Sequence, residues 1–329
     1  MGDTEYVNAA SEQVLTELFR GILDEGYPGI ESLLVVKNGR LLVEEYFYGF
    51  HRDSLHQMRS VTKTVASVLT GVALQQGFLE SVEIPVDSFY PDLADEQDWD
   101  ARKRGMTLEH LLMMTTGLEG DDWEDDFAGS QSMRESEDWI RHVAARRVTR
   151  RPGRQFAYSG SSLILLAGVL ERTSGMTVPD LADEYLFGPL GIEEVEWQVS
   201  PAGTARLGSG LHLRPRDLAR IGQLFLNGGM WDGQRIVSEE WVAQSTQRPL
   251  SFWGPRRWYG YLWWSRNIGT GLFSSIPTYF ASGLGGQKMF VVPDRGMVVV
   301  ITSGNYDTTD SQVTDQGHRL LEALIDVGE

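Results

Sequence analysis

Two turn signals at opposite ends of the chain constrain its fold more than any other feature. Ser32-Leu33-Leu34-Val35-Val36-Lys37 is followed by Asn38-Gly39 and then by Arg40-Leu41-Leu42-Val43-Glu44-Glu45-Tyr46. Asn-Gly between two β-rich runs is a two-residue hairpin, because both turn positions need positive φ. Near the other end, Lys288 to Val292 and Met297 to Ile301 flank Pro293-Asp294-Arg295-Gly296, a second hairpin. A lone two-stranded hairpin is marginal in water, so the two are expected to share one antiparallel sheet. Apolar spacing predicts an amphipathic helix from Ala10 to Leu23 (Val14, Leu15, Leu18, Phe19, Ile22) and another from about Gln312 to Ile325. These terminal helices would cover the sheet. From Ser60 to about Phe225 the signals are mostly helical, broken by loops such as Thr116 to Gly120 and Arg151-Pro152-Gly153.

The expected class is therefore α+β, an antiparallel sheet built from both chain ends with a mostly helical lobe inserted between. With 329 residues and no repeat or low-complexity linker, a single domain of two lobes is expected. The α/β lobe would take about 1–75 and 205–329, the helical lobe about 76–204.

Net charge is −17, which makes nucleic acid a poor partner, since phosphate binding needs clustered Lys and Arg. An acidic surface also repels anionic membranes, and its plainest consequence is solubility. The longest apolar run, Leu163 to Leu170, is far short of the roughly 20 residues that cross a bilayer. Met1-Gly2-Asp3-Thr4-Glu5 is polar and acidic, unlike a signal peptide. A cytoplasmic location is the expectation, although a chain whose signal had been removed would read the same. There is no Cys, which removes disulfides, thiol nucleophiles and cysteine-ligated zinc together. Of 29 basic residues only Lys37, Lys63, Lys103 and Lys288 are Lys. Arg serves as the ordinary surface cation here, so a Lys in an apolar setting is the less ordinary choice.

One such Lys follows Ser60. In Met58-Arg59-Ser60-Val61-Thr62-Lys63-Thr64-Val65-Ala66-Ser67-Val68-Leu69-Thr70-Gly71-Val72, apolar residues recur at helical spacing, so a buried helix starts near Ser60. Ser60 and Lys63 are three apart and share one face. A neutral hydroxyl is a weak nucleophile and needs an adjacent base. Burial disfavours an ammonium, so a desolvated Lys63 could take that proton. The helix N-terminus adds backbone N–H groups where an oxyanion would form. On pattern alone, the plain alternative is a serine cap and a first-turn surface lysine. A chain of this length holds on the order of one Ser-x-x-Lys by chance.

Further stretches make the motif more specific. They are Thr107-Leu108-Glu109-His110-Leu111-Leu112-Met113-Met114-Thr115-Thr116-Gly117-Leu118, Pro152-Gly153-Arg154-Gln155-Phe156-Ala157-Tyr158-Ser159-Gly160, Leu186-Phe187-Gly188-Pro189-Leu190-Gly191-Ile192, Arg216-Asp217-Leu218-Ala219-Arg220-Ile221-Gly222 and Ala281-Ser282-Gly283-Leu284-Gly285-Gly286-Gln287. In order and spacing the chain, from about Ser32 to Ile301, resembles the serine β-lactamase and penicillin-binding protein superfamily. It is most similar to the class C-related esterases and 6-aminohexanoate-dimer hydrolases. The resemblance implies a β-lactamase-like fold and an acyl-enzyme on Ser60 with Lys63 as its base. Tyr158 would shuttle the nucleophile's proton and protonate the leaving group; its plain alternative is a core tyrosine. Ala281-Ser282-Gly283 would lie on a strand edging the site. The N–H of Leu284 would be the second oxyanion donor beside that of Ser60. Ser282, Gly283 and Gly160 would border substrate.

Two positions depart from the family pattern. Gly160 stands where β-lactamases carry Asn, and Ala281 where they carry Lys or, in some relatives, His. Both missing groups are polar and serve the amide and carboxylate of a β-lactam. Their loss suits a neutral ester or linear amide, with no metal or cofactor. A β-lactamase, a D-amino-acid peptidase and a catalytically dead binding protein of the same fold are the alternatives. No Gly-x-Ser-x-Gly, His-Glu-x-x-His or Gly-x-x-x-x-Gly-Lys is present, and none of the six histidines, His51, His56, His110, His142, His212 and His318, has a recognisable catalytic setting. The run Asp121-Asp122-Trp123-Glu124-Asp125-Asp126 reads as a solvated loop. Trp253, Trp258, Tyr259, Tyr261, Trp263 and Trp264 read mostly as core, with some at the pocket wall.

Overall fold

A computed structural model of the chain describes residues 9–94, 101–123, 127–247, 250–251, 257–269, 275–308 and 310–328. Residues 1–5, Glu124 to Asp126 and Trp253, on which readings were made above, lie outside them. The described residues form one eight-stranded sheet of antiparallel neighbours. Its order is Arg40–Tyr46, Ile30–Lys37, Met297–Ser303, Gln287–Val292, Ile276–Gly283, Trp264–Ile268, Arg257–Tyr259 and Leu250–Ser251. The two ends of the chain meet inside this sheet, with Leu34 opposite Val300 and Val36 opposite Val298. Both expected hairpins are present. Asn38 and Gly39 have φ of 49° and 78°, as the two-residue turn demands.

The central strands are buried on both faces, which is why they read as unbroken Val and Leu runs rather than as alternation. One face packs on helix Ala9–Leu23, through Leu15, Leu18 and Ile22, and on Gln316–Leu324, through Leu320, Leu321 and Leu324. The last helix is not continuous as expected: Ser311–Thr314 stops at Asp315 and Gln316–Leu324 resumes. The other face packs on helices Val61–Gln75 and Pro215–Leu226 and is continuous with the core of the helical segment. Leu163 to Leu170 is a fully buried stretch of helix Leu163–Ser174. Among the described residues no helix is long and apolar enough to cross a membrane.

Two features of this frame position the site. Residues Val61 to Ala73 of the Val61–Gln75 helix are all buried, so its N-terminus is fixed by the core. Strand Ile276–Gly283 is paired on one side with Trp264–Ile268 only as far as Phe280 opposite Trp264. Ala281 to Gly283 therefore keep a free backbone edge on that side. Gly283 lies against the chain just before the helix, and a Cβ there would run into the Met58 carbonyl and the Arg59 side chain. Only glycine allows that approach.

Candidate active site

Ser60 stands at the helix N-terminus with helical φ and ψ of −68° and −6°. Arg59 before it has φ of 50°, a left-handed conformation costly for a side chain of this kind. The Ser60 hydroxyl makes no capping bond. Instead Lys63 Nζ donates to Ser60 Oγ at 3.0 Å and to the Gly208 carbonyl at 2.7 Å. Lys63 is 3% exposed, so it is no surface residue. Burial pushes its pKa down to about 8, against the raising effect of Asp122 and helped by the positive charge of Arg206. All four lysines of the chain are buried, in keeping with the use of Arg for surface charge.

The structure brings Tyr158 to the same point. It is 4% exposed, its hydroxyl hydrogen-bonds that of Ser60, and Lys63 Nζ lies 4.6 Å from its ring centre. Burial holds the phenol well above its ordinary pKa, so it stays protonated. Trp123 stacks on the Tyr158 ring at 4.5 Å and 9°, and Trp264 lies 6.1 Å away, with Tyr259 edge-on to Trp264. Trp263, by contrast, packs on Phe225 in the core, and Tyr261 bonds Glu109 at 2.6 Å.

The acidic run is not simply a solvated loop, and the expectation is corrected at Asp122. This residue is 2% exposed. Its Oδ2 accepts the Gly160 N–H at 2.6 Å, its Oδ1 accepts from Ser130 Oγ at 2.9 Å, and its own N–H donates to the Tyr158 carbonyl at 2.6 Å. The first two bonds satisfy the carboxylate that burial would otherwise penalise. A cavity of about 30 Å³ is bordered by Ser60, Lys63, Asp122, Gly160, Arg206 and Gly208, among others. A space of that size admits one or two heavy atoms, such as a carbonyl group or a water. A larger cavity of about 410 Å³, beside Asn38, Gln223 and Asp232, shares none of these residues.

The third motif borders the site by its backbone. Ala281 and Gly283 face the core that holds Met58 and Val61, whereas Ser282 points to the opposite face of the sheet, where its hydroxyl accepts from Lys288 Nζ at 2.6 Å. The Ser282 side chain is thus not brought to Ser60. Leu284 follows in a turn, its side chain 49% exposed. The N–H groups of Ser60 and Leu284 donate to no protein acceptor among the described residues. The histidines are elsewhere: His56 pairs with Glu31 at 2.8 Å, His110 takes the Thr107 N–H at 3.0 Å, and none bonds Ser60. No cluster of His, Asp or Glu among the described residues could hold a metal.

Asp122, Arg206 and Gly208 were not read from the sequence as site residues. The first sits inside a charged run, and the other two lie in a loop without a motif. Together the groups around Ser60 can generate an alkoxide, move its proton and hold an oxyanion, which is the chemistry of acyl transfer.

Comparison with known proteins accords with this geometry. The Beta-lactamase family matches residues 15–323. A 6-aminohexanoate-dimer hydrolase of Paenarthrobacter ureafaciens is 25% identical over 299 residues, 82% of this chain and 71% of that one. Among solved structures, a family VIII carboxylesterase superposes with a TM-score of 0.72 at 18% identity, over 96% of this chain and 99% of that one. A D-stereospecific amidohydrolase from Streptomyces sp. superposes with a TM-score of 0.69 at 16% identity, over 95% and 98%. With nearly its whole length matched, and with a serine that accepts a hydrogen bond from a buried lysine, the chain belongs to the Beta-lactamase family and is an enzyme of the serine-hydrolase type.

Proposed function

We propose that the chain hydrolyses carboxylic esters and linear amides through an acyl-enzyme on Ser60. The observation that carries this reading is the 3.0 Å contact between Ser60 Oγ and a Lys63 ammonium buried enough to give up its proton near pH 8. Neutral Lys63 takes the hydroxyl proton as Oγ attacks the substrate carbonyl. The resulting oxyanion is held by the N–H groups of Ser60 and Leu284. As the tetrahedral adduct collapses, the proton passes from Lys63 through Tyr158 to the leaving oxygen or nitrogen. Water then repeats the sequence on the acyl-enzyme and releases the acid. Gly283 serves by letting the strand edge approach, and Gly160 by leaving room beside Lys63. The groups come from both the sheet and the helical segment, which supports the two-lobed reading of the chain. The names of the relatives, an amide-dimer hydrolase, a carboxylesterase and an amidohydrolase, agree with an ester or amide substrate of small size.

The test is fluorophosphonate labelling of the wild type and of Ser60→Ala, together with hydrolysis of p-nitrophenyl esters, linear amide oligomers, a D-alanyl peptide and nitrocefin. Labelling that needs Ser60, with turnover of esters or linear amides, is expected. An unlabelled protein would be a binding protein of the same fold, and turnover confined to nitrocefin or the D-alanyl peptide would move it to those branches.

A further inference from the structure

The residues that β-lactamases use to meet a substrate carboxylate are absent here, yet a cation borders the cleft from another element. Arg206 lies on the loop that also supplies Gly208, the carbonyl gripped by Lys63. That loop packs tightly on the site, for a Cβ at Gly208 would run into the Gly160 carbonyl. Arg206 is braced from behind. Its Nη1 donates to Gln198 Oε1 at 2.9 Å, and its N–H donates to the Gln198 carbonyl at 2.8 Å. No other side chain among the described residues accepts from its guanidinium.

The charges around it are unbalanced. Among the described residues, Arg59 and Arg134 act on Arg206 with like charge and only Asp122 with opposite charge, while Lys63 shares the same cavity. The two Asp122 oxygens are already taken by the Gly160 N–H and Ser130. Among the described residues, the cations acting at the reactive serine, Arg206, Arg59, Arg134 and Lys63, thus outnumber the one carboxylate, Asp122. Two other cations of the region face different groups. Lys288 bonds Ser282 on the far face of the sheet, and Arg59 lies over the Tyr306 ring at 4.7 Å.

We infer that Arg206 is a specificity-determining residue that receives a carboxylate of the substrate, so that the preferred esters or amides are those of chains ending in an acid group. A guanidinium held at one end and open at the other presents a planar fork that matches a carboxylate in two hydrogen bonds. Its half-buried position strengthens that pairing over one in open water. The inference rests on the acyl-enzyme reading and adds the substrate class to it.

The experiment compares two matched pairs of substrates on the wild type, Arg206→Gln and Arg206→Lys. Mono-4-nitrophenyl glutarate against 4-nitrophenyl butyrate puts the carboxylate on the acyl side. A carboxyphenyl butyrate against phenyl butyrate puts it on the leaving group. The readout is the anionic-to-neutral ratio of kcat/KM within each pair, in which the fraction of active enzyme cancels. In at least one pair the ratio is expected to fall roughly 10- to 100-fold in Arg206→Gln, the worth of hydrogen bonds to a charged group, with Arg206→Lys between. Ratios unchanged within about twofold in both pairs, with Ser60 still labelled by a fluorophosphonate, would overturn the inference and leave the hydrolase reading standing. No turnover of any of the four substrates by the wild type would instead overturn the hydrolase reading and this inference with it.

Discussion

Asp122 Oδ2 accepts the Gly160 N–H at 2.6 Å and so occupies the flank of Lys63 that a side chain at residue 160 would claim. The absence of a side chain at 160 and the buried carboxylate at 122 are two sides of one arrangement. Both keep a polar, hydrogen-bonded surface against the lysine. Asp122 raises the pKa of Lys63, which bears on how readily the lysine gives up its proton.

That charge has a consequence for pH dependence. The groups acting on Lys63 are burial, which lowers its pKa, Asp122, which raises it, and Arg206, which lowers it; the outcome is about 8. Tyr158 faces it as a neutral phenol. Activity that needs neutral Lys63 should therefore rise with pH along a limb centred near 8 in kcat/KM. Asp122→Asn removes the raising charge, so the limb should move to lower pH. The check is a pH profile of kcat/KM for a neutral ester on both proteins. A limb that stays put or moves upward would mean that the carboxylate does not tune the lysine.

Lys63→Arg is expected to be nearly as damaging as Lys63→Ala. A guanidinium keeps the charge but cannot release its proton in the working range. Ser60→Ala should abolish hydrolysis with the fold intact, because the Ser60 side chain makes no capping bond and its removal costs at most about 1 kcal/mol. Steady-state rates and thermal melts on the same preparations decide both points. Most of the activity surviving in Lys63→Arg would make Lys63 an electrostatic group and not a base.

Restoring the β-lactamase residue by Gly160→Asn should harm the enzyme rather than convert it. A Cβ at 160 would lie 3.0 Å from Asp122 Oδ2 and 3.1 Å from Lys63 Nζ, and an asparagine needs more room than that. Displacing Lys63 from Ser60 is expected to cost roughly a hundredfold in ester turnover. Ester and nitrocefin rates for the single variant measure it. A gain in nitrocefin turnover would show that the site can open without loss.

The parts of this site that were legible in the sequence were those set by short-range rules. Asn38-Gly39 can close only one kind of turn, and Val and Leu runs at both chain ends need partners, so the shared sheet followed. Ser60 and Lys63 meet because they are one turn apart on one helix. Asp122 was opaque because its burial depends on Gly160 and Ser130, neither of which is near it on a periodic element. Arg206 was opaque for the same reason: its loop is held by Gln198 and Lys63, contacts that no spacing encodes. The direction of the Ser282 side chain was not read at all; strand alternation, with Phe280 and Ala281 on opposite faces, sends its hydroxyl toward Lys288.

A preference for esters over β-lactams follows from what the site lacks and from where its remaining cation stands. A β-lactam presents a carboxylate fixed by its fused rings relative to the scissile carbonyl. The family groups that meet it come from the position of Ala281 and, for the side-chain amide, that of Gly160. Neither residue has a polar side chain, and Lys288 does not substitute, being bonded to Ser282 across the sheet. If Arg206 receives the substrate carboxylate as inferred above, a flexible chain reaches it more readily than a rigid bicycle does. Short activated esters demand only the nucleophile, its base and two N–H donors. Amides fall between, since their leaving nitrogen must be protonated, and Tyr158 remains a protonated phenol able to supply that step. Tyr158→Phe should accordingly slow linear amides more than p-nitrophenyl esters, whose nitrophenolate departs unaided. Unmet buried partners separate substrates by large factors, so kcat/KM for p-nitrophenyl butyrate should exceed that for nitrocefin by at least roughly a hundredfold. The measurement is that ratio on one preparation, and a ratio in favour of nitrocefin would strip Gly160 and Ala281 of the meaning given to them here.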